Sequence, residues 1–335
     1  MTTTWSQTGR NATVKPIRFR RRVPARSAAS ARVAAATVPA SPARTRSWRR
    51  WVAAEHLMGT SFALQVIRGP EDEKARFDAV ATACWQELRE IERHFSPHRP
   101  DSDIRRMARG ELSLAKSDRR VREVEALCRD ALERSHGLFD AWRDGVFDPT
   151  GLVKGWAVDR VTERYLLPLL HELGASAVGL NAGGDLRLHT APTSAWRWRV
   201  GLADPLQAAR SIGAGREGAV TSVDAAPGEL RPPVIATVEI MDGAIATAGP
   251  AERGLVIDPR TGRPALSVAS ATVLADTLSE ADLWATTAVA SGFETVDWVD
   301  RAQIRSGLLV APDGRTRRWT GATELVAGSG QRLAA

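Results

Sequence analysis

Cysteine is scarce. Cys84 and Cys128 are the only two in 335 residues, which excludes a disulfide-built scaffold and a multi-cysteine metal centre. Each lies on a segment of helical pattern among apolar neighbours, so both read as buried thiols, and the redox compartment stays open. No stretch approaches the roughly twenty consecutive apolar residues that a membrane-crossing helix requires. Gly-x-Ser-x-Gly does not occur, which removes the strained serine turn of α/β hydrolases. The Gly-x4-Gly-Lys-Ser/Thr loop of P-loop nucleotide hydrolases is missing too.

Acidic residues are absent from positions 1–50, which hold twelve Lys or Arg. The formal charge of +7 therefore describes an appendage, because the other residues carry 34 basic and 39 acidic side chains. A mildly acidic body gives no reason to expect a nucleic-acid partner. The first 48 residues are rich in Arg, Ala, Ser, Thr and Pro without periodicity and read as a disordered basic tail. Thr37 and Pro39 interrupt their one apolar stretch, which argues against a secretory leader and for an unstructured tail or a start codon placed too early. The cytoplasm is the expected location, with export or peripheral membrane attachment as the alternatives. Residues 49–320 read as one domain and 321–335 as a C-terminal tail.

From Trp51 onward strand and helix patterns alternate. Phe62, Leu64 and Val66 alternate with small or polar residues, a strand, and Phe77, Ala81, Cys84, Leu88, Ile91 and Phe95 recur at helical spacing. Val121, Val124, Leu127 and Ala131 mark a second helix ending near Gly137, and a third is expected from about Lys154 to Leu173. Strands are expected over 177–180, 186–189, 196–202, 234–241, 244–247 and 268–274, then a helix over 280–291 and a final strand over 304–311. Mixed strands and helices over one span indicate an α+β fold.

The densest chemistry is in Phe147–Arg160, FDPTGLVKGWAVDR. An acidic turn, Asp148-Pro149-Thr150-Gly151, leads through two apolar residues to Lys154-Gly155 and then to Asp159. Lysine can neutralise a phosphate as a compact charge, and the backbone at Gly151 and Gly155 can approach a ligand or cation closely. A capped helix with surface charges explains the same spacing. Asn181-Ala182-Gly183-Gly184-Asp185 follows a predicted strand. Its glycines can aim N–H groups at an anion, but taken alone a tight hairpin is the better reading. Asp282 and Thr286 share a helical face and pair a carboxylate with a hydroxyl, hard donors that suit Mg²⁺, although on spacing alone helix capping and side-chain-to-backbone bonding is the better reading. Asp258 to Pro264 is a turn by composition. His94 and His98 have zinc-ligand spacing, which Pro97 between them breaks.

Taken in order, Leu57-Met58-Gly59-Thr60, Phe95-Ser96 to Ser102, Gly137-Leu138-Phe139-Asp140, FDPTGLVKGWAVDR, LNAGGD, Asp242 to Thr247, IDPRTGRP and ADLWAT resemble the ApbE-type FAD:protein FMN transferases over about residues 50–312. The resemblance implies mixed or antiparallel sheets flanked by helices, bilobal, with a flavin-nucleotide cleft between the lobes. It implies FAD as substrate, Mg²⁺ as cofactor, and transfer of the FMN half to a threonine of an acceptor protein with release of AMP. Carried over residue by residue, Met58, His98, Leu138, Phe139, Asp140, Asp148 and Lys154 fall at flavin-nucleotide positions. The carbonyl of Gly151 with Asp282 and Thr286 falls at the metal positions. Asp159, Asn181, Gly183, Gly184 and Asp185 match the motif with less defined individual roles. Lys154 and Asp282 are the residues implied nearest the phosphorus chemistry.

The chain also departs from that pattern. Leu255 stands at a flavin-contact position where the family commonly carries a histidine, a candidate base or flavin contact, Thr247-Ala248-Gly249 replaces Thr-Ser-Gly, and His98 replaces an aromatic residue. Leucine cannot accept a proton, so Asp258, Asp282 or a metal-bound water is left as the substitute. An FAD pyrophosphatase giving FMN and AMP, and a non-catalytic FAD-binding protein, are the competing functions.

Overall fold

The structure, a computed structural model, describes residues 4–8, 49–67, 73–143, 145–207, 233–250, 256–302 and 304–320. It is organised by one nine-stranded sheet in which every neighbouring pair is antiparallel. The strands are β1 (Thr4–Thr8), β2 (Arg50–Leu57), β3 (Thr60–Ile67), β6 (Ala177–Ala182), β7 (Asp185–Thr190), β10 (Gly243–Ala248), β13 (Ser270–Ala275), β14 (Ile304–Val310) and β15 (Thr316–Thr320). Their spatial order is β1-β15-β14-β13-β10-β7-β6-β3-β2. Three two-stranded ribbons join β4 (Trp142–Arg143) to β5 (Val146–Phe147), β8 (Trp198–Ala203) to β9 (Val234–Ile240), and β11 (Ile257–Asp258) to β12 (Arg263–Pro264).

Side-chain alternation divides the apolar residues between two cores. Phe62, Leu64 and Val66 of β3 face the helices α1 (Lys74–Phe95), α3 (Arg119–Arg134), α4 (Thr150–Val161) and α6 (Leu278–Ser291). On the opposite face Leu186, Leu188, Ile245 and Leu274 pack against Trp198, Val200 and Val238 of the β8–β9 ribbon. In β10 the alternation is also one of size: Ala244, Ala246 and Ala248 face the helical core while Ile245 faces the ribbon. The alanine row lets α6, apolar on nearly every side, lie close against the sheet. Cys84 and Cys128 are buried free thiols, and burial pushes both pKa values up to about 12, as thiols used for packing require.

The periodic stripe of α1 is buried as expected, and α1 stops at Phe95, with Pro97 two residues on. Three boundaries differ from expectation. The third helix begins at Thr150 rather than near Lys154, because Pro149 occupies the position before it and Asp148 accepts the Thr150 N–H at 3.1 Å. It is not continuous to Leu173: α4 passes through a π-helical turn, Thr162–Leu166, into α5 (Leu167–Glu172). Pro168 in that first turn has no N–H to extend the earlier ladder. The strand at 304–310 is not the last, since β15 follows it and pairs in turn with β1, inside the segment read as a disordered tail. Residues 9–48 and the C-terminal tail lie outside the described residues. No described helix is long and apolar enough to cross a membrane.

Candidate functional site

Two tight turns at one end of the sheet form the floor of a cavity of about 320 Å³. The β2–β3 turn places Met58 at φ 51° and Gly59 at φ 73°, and the β6–β7 turn places Gly183 at 64° and Gly184 at 100°. Positive φ at both central residues is the geometry that closes a two-residue hairpin with the natural strand twist. The turns abut: a Cβ on Gly183 would meet Thr60 Oγ1 at 2.2 Å. Glycine is therefore required there twice, by conformation and by contact. The end of α1 and the loop Ser96-Pro97-His98 form one wall, and Thr150, Val153 and Lys154 of α4 form another.

Lys154 is the cation of the cavity. Its ammonium is ion-paired with the buried carboxylate of Asp185, whose Oδ1 also accepts the Thr247 N–H at 3.0 Å. Thr247 Oγ1 is in turn 2.9 Å from Thr272 Oγ1. The charge is thus held by a chain of bonds from β7 to β10 and β13. His98 reaches the cavity from its loop, which is pinned by Ser96: its Oγ accepts the N–H groups of His98 and Arg99, each at 3.3 Å, while Ser102 Oγ donates to its carbonyl at 2.8 Å.

The hairpin reading of Asn181 to Asp185 holds, and its backbone N–H groups serve the turn rather than an anion. Gly183 N donates to the Ser61 carbonyl and Gly184 N to Asn181 Oδ1, each at 2.9 Å, so Asn181 stabilises its own hairpin. Gly151 lies in the first turn of α4 and Gly155 in its interior, so neither is a loop glycine. Gly155 serves packing, since a Cβ there would lie 2.9 Å from the Leu278 carbonyl oxygen. Gly151 sits beneath the Phe139 ring, 3.0 Å from where its Cβ would be.

Asp159 is a clamp between helices. Its Oδ1 accepts the Leu278 N–H at 2.7 Å, and its Oδ2 accepts the Ser279 N–H at 2.8 Å and the Ser279 hydroxyl at 2.6 Å. With Thr277 capping Glu280 N, the opening N–H groups of α6 are satisfied, and a carboxylate sits at the positive end of its dipole. Buried Arg187 lies 3.1 Å away. Burial still dominates and holds the Asp159 pKa above the ordinary range despite these bonds.

The remaining predicted positions, Leu138, Phe139, Asp140, Asp148, Asp282 and Thr286, are not among the residues that line this cavity. Leu138 and Phe139 are buried, Phe139 N being held by Ser135 Oγ at 2.9 Å. Asp140 and Asp148 are exposed and each accepts a nearby backbone N–H, from Trp142 and Thr150. Asp282 is fully buried on α6 and Thr286 partly buried one turn on. Asp258 does not line the cavity. Its carboxylate is paired with Arg260 at 2.9 Å, and that hydrogen bond draws its pKa below the usual range, which weakens it as a base. Arg260 also reaches the carbonyls of Ala290 and Ser291 at 3.2 Å, tying the β11–β12 hairpin to the end of α6. Leu255 lies outside the described residues. Among the described residues no group of three or more His, Cys, Asp or Glu side chains gathers as a metal site.

Sequence reasoning missed Glu92 and Thr60. Glu92 lines the cavity, and its Oε1 accepts the Met58 N–H at 3.1 Å, holding the left-handed turn. Thr60 stands inside the Leu57-to-Thr60 motif without a role of its own, and no local signal marks Glu92, because both matter through contacts distant in sequence.

A second cavity, of about 410 Å³, lies between α1, α3 and α4. Its charges neutralise one another. Glu87 accepts from Arg160 at 2.6 Å, Arg164 at 3.1 Å and Tyr165 at 2.8 Å, and Arg120 pairs with Asp118 at 2.9 Å, holding that carboxyl down at about 2. Burial raises the Glu87 pKa, but these partners overcome it and leave it low. Most of the charges lining this larger cavity are already paired, so the smaller one is the stronger candidate for a ligand.

An α+β fold with an antiparallel sheet, one helical face and a lysine-bearing cavity at paired hairpin turns defines the class. The model of the ApbE family matches residues 58–147 and 143–306, and the chain belongs to that family. Among solved structures, the flavin transferase ApbE from Vibrio cholerae is similar with a TM-score of 0.58 at 19% identity, over 82% of this chain and 98% of that one. The Pseudomonas stutzeri flavinyl transferase ApbE, in its apo form, has a TM-score of 0.60 at 20% identity, over 85% and 98%. The Thermotoga maritima ApbE protein has a TM-score of 0.60 at 18% identity, over 80% and 96%. At these identities the likeness establishes the fold. No curated protein matches the chain.

Proposed function

We propose that this protein transfers FMN from FAD to a threonine hydroxyl of an acceptor protein, in a Mg²⁺-dependent reaction that releases AMP. The observation that carries the reading is Lys154, a cation on the wall of a cavity built from the segments that also carry the family's motifs.

Mg²⁺ would be held by the Gly151 carbonyl, Asp282 and Thr286. The donors are all oxygen, as that ion demands, and α4 and α6 are in direct contact at Gly155 and Leu278, which supports a shared site across them. When bound, the ion supplies positive charge to the pyrophosphate oxygens.

The protein's own residues do the rest. Lys154 neutralises charge that builds on the phosphoryl oxygens, and Asp185, itself fixed by Thr247, holds the ammonium at one place before the substrate arrives. Met58, His98, Leu138, Phe139, Asp140 and Asp148 would contact the flavin nucleotide. Asp159 orders the start of α6, and the turn Asn181 to Gly184 shapes the floor, so these act by positioning. In-line displacement at phosphorus depends mainly on such positioning and charge stabilisation.

Purified protein incubated with FAD and Mg²⁺, with and without a peptide bearing an acceptor threonine, tests the reading. Covalent flavin on the peptide is the expected product. AMP and FMN without peptide-bound flavin would make the protein a pyrophosphatase, and FAD recovered intact from both tubes would make it a binding protein.

A further inference from the structure

We infer that Glu92 is a positioning residue for nucleotide binding: its carboxylate latches the end of α1 to the β2–β3 turn and so sets the cavity floor before a ligand arrives. The inference rests on the reading of that cavity as the FAD site. Leu57 and Thr60 are the last pair of the β2–β3 ladder, which leaves the N–H of Met58, the first loop residue, without a ladder partner. Glu92 Oε1 supplies that partner at 3.1 Å, from 34 residues further along the chain. Met58 needs the hold, because it sits at φ 51°, and among the described residues only His136 shares a positive φ without being glycine.

Charge does not account for a carboxylate at this place. Glu92 lies in the last turn of α1, at the negative end of the helix dipole, where an anion is disfavoured. It also lines a cavity proposed to take a pyrophosphate, whose charge it opposes. Its contribution is therefore geometric. From the latched turn the constraint passes on in short steps. The Ser61 carbonyl accepts the Gly183 N–H at 2.9 Å, Thr60 Oγ1 fills the space where a Cβ on Gly183 would lie, and Asp185 at the start of β7 holds the Lys154 ammonium. One carboxylate on α1 thus steadies both the turn under the ligand and the strand end that carries the partner of the cation.

The test compares the full chain with Glu92→Gln, whose amide oxygen can still accept the Met58 N–H, and with Glu92→Ala, which offers no acceptor. Hydrogen exchange at the Met58 amide is expected to be slow in wild type and Glu92→Gln and fast in Glu92→Ala. FAD affinity is expected to fall about 10–100-fold in Glu92→Ala, the worth of a hydrogen bond to a charged group, and to hold or tighten in Glu92→Gln. Any change in turnover should fall on KM for FAD and not on kcat. In a Met58→Gly background Glu92→Ala should weaken FAD binding by less than about threefold, since glycine takes a positive φ freely. Equal losses of FAD affinity in Glu92→Gln and Glu92→Ala, an unchanged Met58 amide in Glu92→Ala, or a loss confined to kcat would overturn the assignment. Wild-type protein that binds no FAD would instead sink the reading of the cavity as its site, and this inference with it.

Discussion

Gly155 on α4 lies so close to Leu278 on α6 that a methyl group in its place would come within 2.9 Å of the Leu278 carbonyl oxygen. Replacing an interior helix glycine with alanine ordinarily gains about 1 kcal/mol of helix propensity. Here the obstructing atoms are backbone and cannot swing aside, and overpacking of this kind costs about 1–3 kcal/mol. Gly155→Ala is therefore expected to lower the urea midpoint. The helices that carry Gly151 and Asp282 would be forced apart, so Mg²⁺-stimulated turnover should fall by more than the stability loss explains. A variant as stable and as active as wild type would show that the interface yields freely.

Lys154→Met removes the partner of a carboxylate, Asp185, that is almost wholly buried. Breaking one side of a buried ion pair typically costs about 3–5 kcal/mol. The double variant Lys154→Met/Asp185→Asn should recover most of that loss, because the amide oxygen can still accept the Thr247 N–H. FAD affinity should stay weak in both. Affinity that returns together with stability would mean that Lys154 serves the fold and not the nucleotide.

How far these residues were legible depended on the range of the forces that place them. The buried stripe of α1 and the Gly183-Gly184 hairpin were readable because helical period and positive-φ turns are written locally. The start of α4 was misread because Pro149 and Gly151 signal a turn when taken in isolation, whereas Asp148 accepts the Thr150 N–H and the helix begins there, with Phe139 packed where a side chain on Gly151 would lie. The role of Asp159 was invisible, since its partners at Leu278 and Ser279 are more than a hundred residues away. Strand β1 was hidden by an Arg-rich neighbourhood, and only its pairing with β15 reveals it.

His189 makes a prediction in acid. Burial first, and then the Arg187 charge, hold its pKa down at about 4, against an ordinary 6.5, while Asp242 at 3.3 Å pulls the other way and Arg305 adds to the depression. As pH falls below 6.5 the unfolded imidazole takes up a proton that the folded one refuses until about pH 4. Its contribution to stability is therefore present above pH 6.5 and lost as the pH drops through that window. His189→Gln should flatten the profile of melting temperature between those values while leaving its slope at higher pH alone. Identical acid profiles for the two proteins would place the sensitive group elsewhere.

Gly183 separates two costs that ordinarily come together. Alanine there must adopt φ of 64°, which for a residue with a side chain costs about 1–2 kcal/mol, and its methyl would also strike Thr60 Oγ1 at 2.2 Å. The conformational term belongs to the turn alone, whereas the contact term requires the threonine. Gly183→Ala should thus destabilise markedly in the wild-type background and by only the conformational amount in Thr60→Ala. Residues in contact commonly show a coupling energy of about 0.5–3 kcal/mol, which sets the scale of the difference. Both residues line the cavity proposed to take the nucleotide, so FAD affinity should follow the same pattern, weakest in Gly183→Ala and partly restored in the double variant. Equal losses in both backgrounds, measured by urea unfolding, would mean that the two turns do not touch and that the floor of the cavity is built differently.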